Sequence, residues 1–192
     1  MFRNPLCVST LDEFESEAGF QDWIDETESS IDKSKVRRVL LCSGKVYYDL
    51  LDERRKQKIN DVAIIRLEQI YPFNAERLTE ISKQYPANVE IAWVQEEPRN
   101  NGVYPFIGAK LHYHWVGMKK LYYIGRKPSA SPAAGSHEQH VMEQKDIIAR
   151  ALSVSLATRE VRDGKPLDIR GGSDLKTVAA NNVEVAVSKD GK

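Results

Sequence analysis

The sequence predicts one α/β domain of three layers, a mainly parallel sheet with helices on both faces. Three observations carry the prediction. Short apolar runs recur at Val39 to Cys42, Asp61 to Leu67, Val89 to Val94 and Lys120 to Ile124 and read as strands. Single helical patterns separate them, which is how parallel strands are joined, with right-handed crossovers expected. A small-residue turn at Ser43-Gly44 lets the first strand feed the first helix directly.

Length and composition set the bounds. The 192 residues can hold one core of roughly 100 to 150 residues, with segments left over for arms or tails. Lysine plus arginine and aspartate plus glutamate number 28 each, and the pI is about 6.9, so the overall field favours neither nucleic acid nor a membrane surface. A mean hydropathy of -0.49, without a long apolar run, argues against a transmembrane helix and for a soluble chain. The cysteines, Cys7 and Cys42, give no disulfide framework and fit a reducing compartment. The start, MFRNPLCV, matches neither a secretory signal nor a transit peptide.

Residues 1–35 carry nine carboxylates and scattered apolar residues, too few for a core of their own. They read as an extended linker or arm that lays Phe20, Trp23 and Ile24 on a neighbouring surface. Residues 36–152 form the domain proper. After the first strand, Tyr47, Leu50 and Leu51 share a helix face, and the charged DERRKQK (Asp52 to Lys58) ends that helix on a solvated side. The second strand, Asp61 to Leu67, runs to the break at Tyr71-Pro72-Phe73. Asn74 is the expected N-cap of a short helix carrying Leu78 and Ile81, which stops before Tyr85-Pro86. The third strand, Val89 to Val94, is closed by Gln95-Glu96-Glu97-Pro98. From Asn100-Asn101-Gly102 to His114 or Trp115 a helix is expected with Phe106, Ile107, Ala109 and Leu111 partly buried. After the fourth strand, the loop Gly125 to Ser136 precedes a helix from about Glu138 to Leu152. Residues 153–192 lose periodicity and read as a mostly disordered tail, with one alternating run at Val183, Val185 and Val187.

The blocks VRRVLLCSGKVYYDL, IIRLEQIYPF, WVQEEPRNNG and IGRKPSASPAAGS, in this order, resemble the carboxyl-terminal domain of the thiamine-dependent first component of 2-oxoglutarate dehydrogenase, or of its 2-oxoadipate paralogue. NPLCVSTLDEF resembles the stretch joining that enzyme's pyrimidine-binding domain to its last one. The resemblance implies a transketolase C-terminal-like fold and an assembly and regulatory role in the tricarboxylic acid cycle. It places thiamine diphosphate and magnesium in the full enzyme and none in this chain, which is expected to be inactive alone and to contribute no catalytic, cofactor or metal residue. The implied partners are the upstream thiamine-binding domains, a second copy in a homodimer, and the other components of the 2-oxoacid dehydrogenase complex. The implied location is the mitochondrial matrix in a eukaryote and the cytoplasm in a bacterium. A stand-alone adaptor or effector-binding module of the same fold is the alternative.

Two candidate sites follow. Ser43, Gly44 and Lys45 stand at a strand-to-helix turn, where free amides and a lysine can take a phosphate or acyl-CoA effector, Arg126 joining them by resemblance. The competing reading is an ordinary turn with a solvated lysine. Glu96, Glu97, Asn100, Gly102, Ser129 and His140 read as interface residues. Adjacent strand residues face opposite ways, so Glu96 and Glu97 cannot serve as an acid–base pair without a bend. His112 and His114, two apart on a helix, do not share a face, and His137 with His140 lacks enough ligands for a metal. The aromatic set Tyr47, Tyr48, Trp93, Trp115, Tyr122 and Tyr123 reads as packing, because no basic groove accompanies it for nucleic acid.

Overall fold

The computed structural model describes residues 4–15, 19–154 and 156. Its sheet has five strands in the order β1-β3-β2-β4-β5. These are β1 (Trp23–Ile24), β2 (Arg38–Cys42), β3 (Val62–Leu67), β4 (Glu90–Pro98) and β5 (Leu121–Arg126). All neighbours are parallel except β1, which pairs antiparallel to β3 through Trp23 with Leu67 and Ile24 with Arg66. The helices are α1 (Leu11–Glu15), α2 (Val46–Lys56), α3 (Ala75–Ser82), α4 (Tyr104–His114) and α5 (His137–Leu152).

The pleat sends alternate residues to opposite faces, and both faces are covered. Val39 and Leu41 of β2, Ile65 of β3 and Trp93 of β4 meet α3 and α4 through Leu78, Ile81, Ile107 and Leu111. Leu40, Ile64 and Val94 point the other way, onto Leu50 and Leu51 of α2 and Ile147 and Ala151 of α5. Each fully buried leucine or isoleucine contributes roughly 1.5–3 kcal/mol, and β2 carries them on both sides at the centre of the sheet. This is the three-layer, mainly parallel architecture that the apolar runs predict. Tyr47, Tyr48, Trp93, Trp115 and Tyr123 are all buried, Tyr122 half so.

Four local readings are corrected. Phe106 and Ala109 are exposed instead of partly buried, because α4 turns Tyr104, Ile107, Gly108 and Leu111 to the core. Trp23 does not lie on a neighbouring surface: it is 1% exposed in this domain's own core, and its indole Nε1 donates to Asn74 O. Phe20 remains exposed. Arg54, within the charged run expected on a solvated face, is buried between Glu26 and the Val62 carbonyl. The third strand does not stop at Val94, because β4 resumes pairing at Pro98 with Arg126 after a register shift. Asn74 caps α3 as expected, its Oδ1 accepting from Arg77 N at 2.9 Å. Leu156 packs into the core beside α2 and α5. Apart from Ser153, Val154 and Leu156, the expected disordered tail lies outside the described residues.

Candidate functional site

From β2 the chain passes through α2 to β3 on one side, then returns through α3 to β4 on the other. That reversal makes the carboxyl ends of β2 and β4 a topological switch point, where open α/β sheets form ligand crevices. The turn Ser43-Gly44-Lys45 lies on one side of it and Glu96 on the other. Gly44 turns with φ +76°, a conformation that suits glycine, and α2 begins one residue after Lys45.

Lys45 spans the switch point. Its Nζ lies 2.9 Å from Glu96 Oε1 and 2.7 Å from Asp49 Oδ2, one turn further along α2. Desolvation disfavours the ammonium, but the hydrogen bonds to Asp49 and Glu96 outweigh it and hold the Lys45 pKa above its ordinary value. The same Asp49 oxygen accepts from Gln144 Nε2 at 2.8 Å, which ties α5 to the cluster. The amides of Tyr47 and Tyr48 donate to the Gly44 and Lys45 carbonyls. This turn therefore uses two first-turn amides internally and gives its lysine two carboxylates.

Arg126 is engaged separately, at the end of β5. Its Nε lies 2.6 Å from Glu143 Oε2 of α5, an ion pair without hydrogen-bond alignment, and its Nη1 donates to Pro132 O at 3.0 Å. Gln144 and Glu143 adjoin in sequence, so α5 touches both the Lys45 and the Arg126 clusters. Among the described residues no group of three or more His, Cys, Asp or Glu gathers to hold a metal ion. The carboxylates at this edge, Asp49, Glu96 and Glu143, already face cations of this chain. That donor set does not fit a magnesium diphosphate.

The remaining expected residues divide into neighbouring groups. Glu96 and Glu97 do diverge. Glu97 stands against Gly102, where a Cβ would lie 3.1 Å from both the Glu97 Cβ and its Oε2. Gly102 also has φ +65°, so two constraints fix glycine there. Asn100 and Ser129 join two loops reciprocally: Asn100 Nδ2 donates to Ser129 O and Ser129 N donates to Asn100 Oδ1, both at 2.9 Å. His140 lies in the first turn of α5 with its side chain exposed, away from these loops in sequence.

Sequence reasoning missed the residue that organises this end of the sheet. Gln95 is 3% exposed, and its Oε1 accepts from Trp93 Nε1 at 2.9 Å and from Tyr104 N at 3.1 Å. Its Nε2 donates to the carbonyls of Glu97, Pro98 and Asn101. One amide thus satisfies the start of α4 and shapes the loop before it. An amide directly after an apolar strand was the available signal. Beside it, Tyr123 hydroxyl lies 3.1 Å from both Glu97 O and Arg126 O, and burial pushes its pKa above the ordinary range.

A second polar cluster sits at the amino end. Arg38, fully buried, donates from Nε and Nη2 to Glu90 Oε2 and from Nη1 to Ala151 O and Ser153 O, capping α5. Arg37 pairs with Asp61 at 2.7 Å. A groove of about 480 Å³ opens beside them, lined in part by Lys35, Asn88, Glu90 and Val154.

Residues 8–152 match the family model described as 2-oxoglutarate dehydrogenase C-terminal. The chain is 40% identical over 153 residues to the 2-oxoglutarate dehydrogenase E1 component of Cupriavidus necator, covering 80% of this chain and 16% of that protein. It is 38% identical over 153 residues to a probable 2-oxoadipate dehydrogenase complex component E1 homolog of Dictyostelium discoideum, covering 80% and 17%. Less than a fifth of either relative is therefore represented. A solved structure, a split gene transketolase as an inactive β4 tetramer, overlays with a TM-score of 0.44 at 12% identity, over 62% of this chain and 39% of that one. The domain over residues 8–152 belongs to the family of 2-oxoglutarate dehydrogenase carboxyl-terminal domains.

Proposed function

We propose that the chain is the assembly domain of a first component of 2-oxoglutarate dehydrogenase, or of the 2-oxoadipate equivalent. It supports the dimer in which the preceding thiamine-binding domains carry out oxidative decarboxylation. Thiamine diphosphate and magnesium belong, on this reading, to those domains. The observation that carries it is the Lys45–Glu96 contact across the switch point. Where an α/β sheet usually receives a ligand, this one has linked α2 to β4 with its own charges, and α5 joins through Asp49. The regulatory part of the reading concerns the same residues. An anionic effector at Ser43, Gly44, Lys45 and Arg126 has to compete with Asp49, Glu96 and Glu143, so effector binding is coupled to the packing of α2 and α5.

The test is a chimera of the C. necator E1 component in which residues 8–152 of this chain replace the matching segment. Decarboxylation of 2-oxoglutarate and a dimer-sized species in sedimentation support the reading. A chimera with native-like circular dichroism that sediments as a monomer and is inactive removes it, and leaves an adaptor module of the same fold.

A further inference from the structure

We propose that Ser131 is a phosphorylation site for a proline-directed protein kinase, and that the phosphate draws Arg126 away from α5. Ser131 is the chain's one serine or threonine followed by proline. It stands exposed in the loop between β5 and α5, beside the equally exposed Ala130 and Pro132. Pro128 and Pro132 each disfavour helix in the residue before them, which keeps the stretch open to a kinase cleft. Among the described residues the Ser131 hydroxyl bonds within its own turn, donating to Ala133 O at 3.0 Å and accepting from Ala133 N at 3.4 Å. No contact with the rest of the fold has to break for it to be reached. In the transfer, Ser131 Oγ bonds to the γ-phosphorus of a nucleoside triphosphate as the β–γ anhydride bond breaks. The nucleoside diphosphate leaves, and the hydroxyl proton passes to the kinase's base.

A receiver for the phosphate is already in place. Arg126 Nη1 donates to the carbonyl of Pro132, the next residue, at 3.0 Å. Its Nε faces Glu143 Oε2 at 2.6 Å, yet neither atom has an aligned hydrogen bond. Phosphate oxygens match the guanidinium fork, and a phosphoserine sets a charge of about −1.5 to −2 against the single charge of Glu143. Glu143 gives up Arg126 at small cost, because its side chain is 29% exposed and Gln139 Nε2 holds its other oxygen at 2.9 Å. No carboxylate of this stretch opposes the phosphate: Pro98 to His137 contains neither Asp nor Glu. Arg99 adds a second cation at this corner. Its amide donates to Arg126 O, and its guanidinium stacks on Tyr104 and Tyr123 at 5.7 and 5.6 Å, without a carboxylate among the described residues. Since the Arg126–Glu143 pair ties α5 to β5, the modification loosens α5 next to Gln144, which holds Asp49 of the Lys45 cluster.

The site is tested by incubating the full chain with a proline-directed kinase and radiolabelled ATP, and the switch by the full chain carrying phosphoserine at 131, made by genetic code expansion. Label is expected on the unmodified chain and not on Ser131→Ala. In phosphorus NMR the phosphoserine should titrate below its usual value of about 6. Amides of α5 around Glu143 should exchange with deuterium several-fold faster than in the unmodified chain. Arg126→Gln should return the titration to about 6 and erase the difference in exchange between phosphorylated and unmodified chains. Absence of label, label retained by Ser131→Ala, or a phosphate that titrates at about 6 with α5 exchange unchanged overturns the proposal. The chimera is not involved in any of these outcomes, so the proposed function is judged separately.

Discussion

Arg54→Met should destabilise the domain by about 3–5 kcal/mol, the range for removing one member of a buried ion pair. The side chains of Arg54 and Glu26 are each 2% exposed. The two Arg54 η nitrogens reach both Glu26 oxygens, and Nη1 also donates to Val62 O. Glu26 in turn accepts from Ile64 N at 2.8 Å and Glu28 N at 2.9 Å. Without the guanidinium, a carboxylate stays buried with two amides for company and Val62 O loses a donor. Against a typical domain stability of roughly 5–15 kcal/mol, that is about a fifth of the total or more. Glu26→Gln keeps an acceptor for Ile64 N, so the double variant should cost less than the two single changes added, with about 0.5–3 kcal/mol of coupling. Urea unfolding of the full chain, followed by tryptophan fluorescence and circular dichroism, measures all four corners of the cycle. A loss below about 1 kcal/mol for Arg54→Met, or strict additivity, would refute the claim that this pair holds the segment before β2 to α2 and β3.

Three further outcomes are expected. Gly125→Ala should unfold the carboxyl edge of β5, since its Cβ would lie 2.3 Å from the Tyr123 hydroxyl and 2.9 Å from Gln95 O; thermal melts should show a loss of about 1–3 kcal/mol or more. Lys45→Met, by contrast, removes contacts from a side chain 45% exposed and should cost about 0–1 kcal/mol in urea, weakening further dependence on salt. Asp32 should titrate near pH 2 by NMR, because hydrogen bonds from Ser34 and Lys35 hold its pKa at about 2 against an ordinary 3.8. A lowered folded pKa means its contribution is present above 3.8 and is lost as pH falls through about 2, a window that Asp32→Asn should erase from the acid side of the stability profile.

How much of this was legible depends on whether a signal is local. β2, β3, β4 and β5 announce themselves because every residue of a doubly covered strand can be apolar, and Leu40 and Leu41 serve opposite cores side by side. Trp23 gives no such signal. A two-residue edge strand has no periodicity, and its burial depends on β3 and Phe73, some fifty residues away in the chain. Arg54 is hidden differently, one inward-facing charge among six that share its run. The polar end of β4 misleads for a related reason, since Gln95 is buried through five hydrogen bonds that composition cannot display. The turn at Ser43-Gly44-Lys45 was readable as a turn; its contact with Glu96 was not, because it requires β4 to take the place beside β2 opposite β3.

That strand order connects the two ends of the functional argument. By placing β4 next to β2, the fold creates the switch-point crevice and supplies the carboxylate that Lys45 meets across it. The ionic groups at the carboxyl edge then hold helices: Asp49 and Gln144 join α2 to α5, Glu143 and Arg126 join α5 to β5. Exposed aromatic side chains stand on α4, at Phe106 and Tyr113, and in the β3–α3 loop, at Tyr71. A domain whose charges fasten its own helices and which leaves Tyr71, Phe106 and Tyr113 exposed is suited to packing against another folded surface. Apolar packing also tolerates salt better than a charged contact would, so chimera assembly should survive raised ionic strength while the Lys45 cluster weakens.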